Sequence, residues 1–449
     1  MPPVALHEPA PRGTATAHRA IAVGIDLGTS GCRAVAIDEG GAALGWAHAP
    51  LAAPQIEGVC ATQDPNRWWE ALLAALRALA ANVDLSRVAR LAVDGTSGTV
   101  LPVDHAGRPL GAGLLYCDQR AAAQAQRIAS FADPESGAHG AASSLAKLLW
   151  LQQESGARQA RYVLHQADWI AGRLTGRYGF SDYNNCLKLG FDAVALRWPP
   201  WLDALGVRTE LLPEVLAPGE PIGPIAPGAA QATGLPPDAV VVAGTTDGVA
   251  AFLAAGAHQP GEAVTSLGST LVLKLLSTRP VFARAFGIYS HRFGRYWLAG
   301  GASNSGGAAL LRHFSLPEIR ALSAQIDPQR LTGLDYYPLP GVGERFPVSD
   351  PAMVSRTTPV PAQRVRFLQG LLEGIARIEK LGYERLAQHG APALAALFTT
   401  GGGAQNEAWT QLRARILEVP LYRARSEQAA YGSALLAAGL LRDMFGLPA

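Results

Sequence analysis

Two stretches of this chain, about 240 positions apart, share one pattern that predicts a β-hairpin. In each stretch an apolar strand runs into Leu-Gly, hydroxyl-bearing residues follow, and a second apolar strand begins. The first stretch covers residues 21–37 with its turn at 27–31, and the second covers 265–276 with its turn at 267–270. Glycine in a short polar turn between apolar runs is a hairpin signal. Because the pattern recurs, we expect the chain to contain two related halves.

The segments between and after these hairpins alternate between helix and strand patterns. Asp64-Pro65 supplies a capping residue and a first-turn proline ahead of an apolar helix face. Residues 363–388 form a long amphipathic pattern. We expect a strand at 296–299 followed by a glycine-rich loop at 300–304, and a final helix at about 426–440. This alternation predicts an α/β protein.

A chain of 449 residues is long enough for about two or three domains. We place the domain boundary between residues 255 and 256, which gives an N-terminal domain at 20–255 and a C-terminal domain at 256–449. Residues 1–19 contain Pro, Ala, Gly and two Arg without an apolar run. They are predicted to form a loose tail, because a secretion signal needs an apolar core.

The composition narrows the class of partners. A net charge of +2 gives no reason to expect nucleic acid or an acidic membrane as a partner, and no apolar run is long enough to cross a bilayer. The four cysteines lie far apart, so reduced thiols and a cytoplasmic location are expected. Only four of the 38 Lys and Arg residues are Lys, which we interpret first as a compositional bias. A monomer and a homodimer both fit the sequence.

Several familiar catalytic motifs are missing from the sequence. There is no Gly-Lys dipeptide, and therefore no phosphate loop of the G-x-x-x-x-G-K-[ST] type. No G-x-G-x-x-G opens a helix, so the dinucleotide-binding fingerprint is absent too. The H-E-x-x-H and G-x-S-x-G motifs of zinc proteases and α/β-hydrolases do not occur.

The motifs that are present fit the transfer of a phosphoryl group to a hydroxyl. Charge on that group needs backbone and hydroxyl donors together with Mg²⁺, and the two predicted hairpins can supply the donors. These are Gly28, Thr29 and Ser30 in the first hairpin, and Gly268, Ser269 and Thr270 in the second. Asp26, at the end of the first strand, is suited to hold hydrated Mg²⁺ through water.

Asp247 is the candidate for the group that accepts the proton of the attacking hydroxyl. It follows the apolar strand at 240–246, and positioned bases contribute roughly 10²–10⁴-fold to rate. It also fits a helix N-cap, because Gly-Val-Ala-Ala-Phe-Leu comes next. The local sequence leaves both roles open. Asp94 and Ser97 end another strand, where Asp94 fits a turn cap or a substrate ligand, and Ser97 fits a sugar contact or a loop contact.

Across about residues 20–440 these motifs resemble the FGGY family of carbohydrate kinases, which has the fold of sugar kinases, Hsp70 and actin. Residues 24–31 resemble the first phosphate loop of that family, residues 244–247 its catalytic-Asp segment, and residues 266–270 its second phosphate loop. Residues 401–406 resemble its adenosine loop. The resemblance implies two actin-like domains, a cleft between them, and Asp247 as the base.

The resemblance also implies ATP and Mg²⁺ as cofactors and assigns further residues. Asp26 and Asp247 would serve the metal. The residues implied for the nucleotide are Gly28, Thr29, Gly268, Ser269, Thr270, Gly402, Gly403, Asn406 and Trp409, with Trp409 beside the base. For the sugar they are Asp26, Ser30, Ser97 and Asp247. Asp118 resembles the Asp of a Trp-x-Asp segment that contacts substrate in other members.

Residues 94–100, 166–169, 261–270 and 334–340 are most similar to the cyanobacterial and plant branch that is labelled xylulokinase-like and acts on D-ribulose. Xylulokinases usually carry Gly-Gln-Met-His-Gly where this chain has Gly-Thr-Ser-Gly-Thr at 95–99. The resemblance therefore implies ATP-dependent phosphorylation of D-ribulose to D-ribulose 5-phosphate. The alternatives are a D-xylulose kinase and a catalytically silent sugar or nucleotide sensor on the same fold.

Overall fold

The computed structural model describes residues 20–448, so the predicted tail at 1–19 lies outside the described residues. The strands β1 to β19 are, in order, Ile21–Leu27, Gly31–Ile37, Ala43–Pro50, Gln55–Glu57, Cys60–Gln63, Val88–Gly95, Val100–Val103, Gly113–Leu114, Tyr162–His165, Phe180–Asp182, Glu214–Leu216, Pro221–Pro224, Val240–Thr246, Glu262–Leu267, Leu271–Ser277, Tyr289–Phe293, Tyr296–Ser303, Ala396–Thr400 and Leu421–Arg423. The helices α1 to α13 are Pro65–Ala80, Ala122–Ala129, Ser144–Leu151, Gln166–Thr175, Trp201–Leu205, Pro227–Thr233, Asp247–Ala255, Gly307–Leu310, Leu316–Ser323, Arg364–Gln388, Glu407–Leu417, Ala429–Ala437 and Arg442–Phe445.

Two six-stranded sheets carry the fold, and both are built on a predicted hairpin. In the first sheet β1 pairs antiparallel with β2 and parallel with β6, which pairs parallel with β13. In the second sheet β14 pairs antiparallel with β15 and parallel with β18, which pairs parallel with β19. The two sheets thus repeat one arrangement around their hairpins, as the recurring sequence pattern predicts.

Helix α12 joins the two halves, although it lies near the end of the chain. A Cβ added at Gly24 of β1 would lie 2.0 Å from the carbonyl oxygen of Ala430, and one at Gly432 would lie 2.0 Å from that of Ala250 in α7. Glycine at these two positions lets α12 pack directly on β1 and α7. The apolar cluster around α12 therefore contains residues from both predicted domains.

Local sequence predicts the helix starts well. The Asp64 side chain accepts a hydrogen bond of 2.9 Å from the Asn66 amide and caps α1, and Gln363 is the N-cap residue of α10.

The prediction of a loop at 300–304 is wrong in part, because β17 continues to Ser303. A Cβ at Gly301 would lie 2.6 Å from the Phe346 ring, so this glycine serves close packing and not a turn. The last long helix is shorter than expected, at Ala429–Ala437.

Within residues 20–448, no helix combines the length and the apolar character needed to span a bilayer. All four cysteines are free thiols, and Cys32 and Cys186 are buried.

Candidate active site

Three carboxylates meet where the central strands of the first sheet end. Asp26 near the end of β1 lies opposite Asp94 near the end of β6, and Thr245 of β13 lies on the other side of Asp94. Asp247 follows β13 directly as the first residue of α7. Parallel strands bring their carboxyl ends to one edge, and ligands of α/β sheets bind at that edge.

Asp26 and Asp94 form a buried pair with few partners. Arg33 donates to Asp26 at 3.2 Å, and the Ser433 hydroxyl of α12 donates to Asp94 at 2.5 Å. Burial raises the pKa of Asp26, partly offset by Arg33. Burial and the charge of Asp26 raise the pKa of Asp94 well above its usual value, and the hydrogen bond from Ser433 offsets part of this rise.

Asp247 does not cap the helix that follows it. The N-cap of α7 is Thr246, and Asp247 lies inside the first turn, where its Oδ1 accepts 2.6 Å from the amide of Gly248. Burial and the charge of Asp26 raise the pKa of Asp247, while Lys188 and Lys274 lower it. Thr246 therefore takes the N-cap position that the local sequence left open for Asp247, although its side chain makes no capping hydrogen bond. Asp247 stands as a carboxylate among other charged groups.

Three buried polar atoms, one of them on the turn after Asp94, have no hydrogen-bond partner within the described residues. The Oε1 atom of Gln166 accepts from the amide and the hydroxyl of Thr96, at 3.1 and 2.9 Å, which leaves its Nε2 unpaired. Ser97 Oγ and Asn184 Oδ1 are also buried and unpaired within the described chain. An unpaired buried polar group costs about 1–3 kcal/mol, so such atoms commonly await a ligand or water. Ser97 was expected from the sequence, whereas Gln166 and Asn184 were not.

Sequence reasoning also missed the lysines of this region. Lys147 Nζ donates to the carbonyl oxygens of Gly98 and Leu115 at 2.9 and 2.6 Å, and Lys188 Nζ donates to Ser97 O at 3.2 Å. Lys274 Nζ lies 3.4 Å from Nδ1 of His291. Burial lowers the pKa of Lys147 to about 7 and that of Lys274 to about 8, and holds that of His291 well below its usual value. The scarcity of Lys was the one available signal.

Each hairpin turn exposes one of the hydroxyl donors predicted from the sequence, while its first glycine amide bonds within the turn. In the first turn the amide of Gly28 bonds Gly31 O at 3.0 Å, and Ser30 is exposed. In the second turn the amide of Gly268 bonds Thr270 O at 3.2 Å, and Ser269 is exposed. Gly268 and Ser269 also line a large cavity in the second half of the chain.

This cavity has a volume of about 830 Å³ and is lined by residues of α8, α9, α11 and the loop at 401–406. Its walls are largely apolar, with Leu310, Ile319 and Ile326 among them. Size, apolar walls and a rim of polar groups suit a nucleoside. It adjoins the second hairpin, so a nucleotide seated in it has its phosphates near Gly268 and Ser269.

The predicted nucleotide residues of this loop have different roles. Asn406 Oδ1 accepts 3.1 Å from the Trp409 amide, and its Nδ2 donates 2.9 Å to Ser323 Oγ, so the side chain caps α11. Trp409 is 2% exposed and donates its indole N–H to Leu372 O at 3.1 Å, so the ring belongs mainly to the core and only borders the cavity. Gly402 and Gly403 both line the cavity.

Substitution at Gly402 tests whether nucleotide binds here. A Cβ at Gly402 would meet no atom within 4 Å, whereas one at Gly403 would lie 2.7 Å from the Trp409 ring. Gly402→Val should therefore fold normally and project its side chain into free space at the cavity. We expect the KM for ATP to rise severalfold and the KM for sugar to stay unchanged. Steady-state kinetics with each substrate varied measures this, and an unchanged KM for ATP would remove the loop from the nucleotide site.

Asp118 is a structural residue in this molecule. It is fully buried, accepts 2.7 Å from the Ala61 amide, and is held by the Arg120 guanidinium at 2.8 Å. Arg120 in turn lies over the Trp150 ring at 4.9 Å. Both carboxylate oxygens are therefore occupied by donors of the protein itself.

The residues present fit a divalent cation. Asp26 and Asp94 are buried acids on neighbouring strands whose pKa values are raised by burial, and a cation beside them would stabilise their charged forms. Within residues 20–448, no three His, Cys, Asp or Glu side chains are arranged to hold a metal by themselves. Such a site suits Mg²⁺, which keeps most of its waters and binds one or two carboxylates together with substrate phosphates.

Comparison with known proteins identifies the family. The model of the FGGY family of carbohydrate kinases, N-terminal domain, matches residues 21–254, and that of the C-terminal domain matches residues 263–440. This chain is an FGGY carbohydrate kinase. The predicted family, the two-part α/β sugar-kinase fold and the ATP-dependent kinase class are thereby confirmed.

Individual relatives of this FGGY kinase point to pentuloses. A xylulose kinase of Staphylococcus epidermidis is 25% identical over 439 residues, which covers 93% of this chain and 87% of the relative. One of Streptomyces rubiginosus is 29% identical over 458 residues, covering 94% and 88%. The crystal structure of a xyloylose kinase from Brucella ovis superposes with a TM-score of 0.85 and 25% identity, covering 95% of this chain and 91% of that one. These names favour the xylulose alternative over ribulose.

Proposed function

We propose that this kinase transfers the γ-phosphoryl group of ATP to a terminal hydroxyl of a ketopentose, with Asp247 as the base. The observation that carries the proposal is the position of Asp247. It is a carboxylate inside the first turn of α7 that accepts from the adjacent Gly248 amide and is influenced by the charges of Asp26, Lys188 and Lys274. The unpaired polar atoms of Ser97, Gln166 and Asn184 provide donors and acceptors for sugar hydroxyls.

The chemistry follows from these groups. The sugar lies over the turn at 95–98 with its reacting hydroxyl toward Asp247, and that carboxylate takes the proton as the oxygen attacks. The raised pKa of Asp247 makes it a better proton acceptor than an exposed carboxylate. The hairpin donors around Gly28 and Gly268 neutralise charge on the phosphates. Bound Mg²⁺, near Asp26 and Asp247, would supply further charge neutralisation.

D-Xylulose is the first candidate substrate, because the relatives carry that name. D-Ribulose is the second, and a specific feature favours it. The turn at 95–99 reads Gly-Thr-Ser-Gly-Thr, where xylulokinases usually carry Gly-Gln-Met-His-Gly, and the hydroxyl of its Ser97 is buried and unpaired within the described residues. The two sugars differ only in configuration at C3, and a site that hydrogen-bonds one hydroxyl orientation rejects the other because its buried polar groups are then left unpaired.

A substrate panel decides between these sugars. ADP release is measured with D-xylulose, D-ribulose, gluconate and glycerol, and the phosphate of the product is located by NMR. Preferential turnover of either pentulose supports the proposed class and names the sugar. Turnover of gluconate or glycerol alone would overturn the pentulose assignment, and no turnover with any sugar would favour the silent sensor.

Ser97→Ala probes the sugar-recognition turn in the same assay. Loss of one hydrogen bond costs about 0.5–1.5 kcal/mol. The value of kcat/KM for the preferred pentulose should therefore fall roughly 2- to 13-fold. The discrimination between the two pentuloses should shrink with it. A matched control is Ser86→Ala, in an exposed turn where the Ser86 hydroxyl bonds Asp84 at 2.6 Å. Unchanged kinetics in Ser97→Ala would place the sugar elsewhere.

A further inference from the structure

Two lysines near Asp247 form no ion pair within 4.0 Å in the part of the chain that the structure describes, although the charge of Asp247 acts on both. Lys188 follows the turn that ends near residue 185 in the first half, and Lys274 lies on β15 in the second half. Among residues 20–448, neither ammonium group has a carboxylate oxygen within 4.0 Å, whereas Lys380 pairs with Glu418 at 3.3 Å. Both side chains are partly exposed, although they lie deep enough for burial to lower their pKa values.

These lysines converge on the catalytic carboxylate from opposite halves of the molecule. Lys188 reaches the sugar-binding turn, where it donates to Ser97 O at 3.2 Å. Lys274 lies beside Gly248, the residue after Asp247. A Cβ at Gly248 would lie 3.3 Å from the Cε and 3.8 Å from the Nζ of Lys274. Both charges act on Asp247 and on each other. Asp247 offsets part of the repulsion between the two ammonium groups, and a phosphoryl anion beside them would offset more of it.

The choice of Lys over Arg at these positions is informative. Only four of the 38 Lys and Arg residues of the chain are Lys, and three of them are Lys147, Lys188 and Lys274. The compositional bias toward Arg therefore stops at this part of the cleft. An ammonium group is a compact charge with three rotatable donors, and lysine is an established phosphate-binding residue that acts as a point charge.

We propose that Lys188 and Lys274 bind the phosphoryl group on the sugar side of the cleft, one lysine from each half, as it leaves ATP. This inference rests on the proposed function. The sugar hydroxyl gives its proton to Asp247, and its oxygen forms a bond to the γ-phosphorus. The bond from that phosphorus to the β–γ bridging oxygen breaks, and its electron pair leaves with ADP. The new phosphate ester then lies beside Asp247, with both ammonium groups against its oxygens.

The lysine pair makes phosphoryl transfer depend on the two halves of the molecule being close together. One cation comes from each half, so the phosphoryl group receives both only when the two halves are close together. Without sugar in the cleft, water that reached the γ-phosphorus would have the same two cations available. The lysines favour the phosphate ester over the free sugar, because only the ester carries negative charge. The carboxylates and the unpaired amide groups favour the sugar hydroxyls.

The test compares binding of the sugar with binding of its phosphate ester by calorimetry. The sugar is the one that the wild type phosphorylates fastest in the panel, and the variants are Lys188→Met, Lys274→Met and Lys274→Arg. Lys380→Met serves as the surface control. In each Met variant we expect affinity for the phosphate ester to fall at least tenfold, affinity for the free sugar to change less than threefold, and affinity for ADP to stay unchanged. kcat should fall more than the sugar KM rises, and Lys274→Arg should bind the ester more tightly than Lys274→Met.

Equal loss of affinity for sugar and ester would show that the lysines contact the sugar, and this would overturn the inference. Unchanged affinity for the ester would overturn it as well. Thermal unfolding of each variant separates loss of a contact from loss of the fold, and Lys274→Arg keeps the charge if Lys274→Met is unstable. Because the sugar is taken from the panel, failure of the pentulose assignment and failure of the lysine assignment are distinguished.

Discussion

Asp247→Asn should reduce turnover by about 10²–10⁴-fold while the protein folds and binds nucleotide normally. Asparagine has nearly the same shape as aspartate, and its oxygen can still accept the hydrogen bond of 2.6 Å from the Gly248 amide. The substitution removes the negative charge and the capacity to take a proton. The nucleotide cavity is lined by other residues, so the affinity for ADP should not change.

The control for this variant is Asp203→Asn. Asp203 is an exposed acid in the first turn of α5, so it shares with Asp247 the favourable position near a helix N-terminus. kcat at saturating sugar and ATP, and ADP affinity by calorimetry, are measured for both variants. If Asp247→Asn loses no more turnover than Asp203→Asn, the carboxylate serves only the helix.

Arg413→Met should lower the free energy of unfolding by about 3–5 kcal/mol, which is the usual cost of breaking a buried ion pair. The Arg413 guanidinium donates to both oxygens of Glu379 at 2.7 Å and to Thr399 Oγ1 at 3.0 Å. Both members of the ion pair are fully buried. The substitution leaves the Glu379 carboxylate buried without its cation. Because these contacts tie α10, α11 and β18 together around the loop at 401–406, the affinity for ADP should fall too.

Urea unfolding followed by circular dichroism measures the stability of this variant. Arg415→Met on the same helix is the matched control, since Arg415 is exposed and its only side-chain hydrogen bond in the described structure is one of 3.3 Å to Gln329. It should change the free energy of unfolding by less than about 0.5 kcal/mol. The double variant Glu379→Met with Arg413→Met removes both charges and should lose less stability than Arg413→Met alone. A loss in the single variant no larger than that of the control would show that the pair contributes little.

The parts of this protein that the sequence determines are those with a local physical cause. A short glycine turn between apolar strands favours a hairpin, so both hairpins were predictable, and with them the repeated architecture. Asp64-Pro65 predicts the start of α1 because capping depends on the nearest few residues. The family could likewise be identified from phosphate-loop motifs that are continuous in the chain.

Tertiary structure decided which of several locally equal roles a residue takes. Asp247 and Thr246 both suit a cap, and only the end of β13 assigns the cap to Thr246. Asn406 uses both ends of its side chain within the protein, because Ser323 from another helix reaches it. The lysine pair has no local signature at all, since Lys188 and Lys274 are 86 positions apart and act on the same carboxylate, Asp247, only in the folded chain. Contacts between distant segments depend on packing, and a sequence read position by position does not contain them.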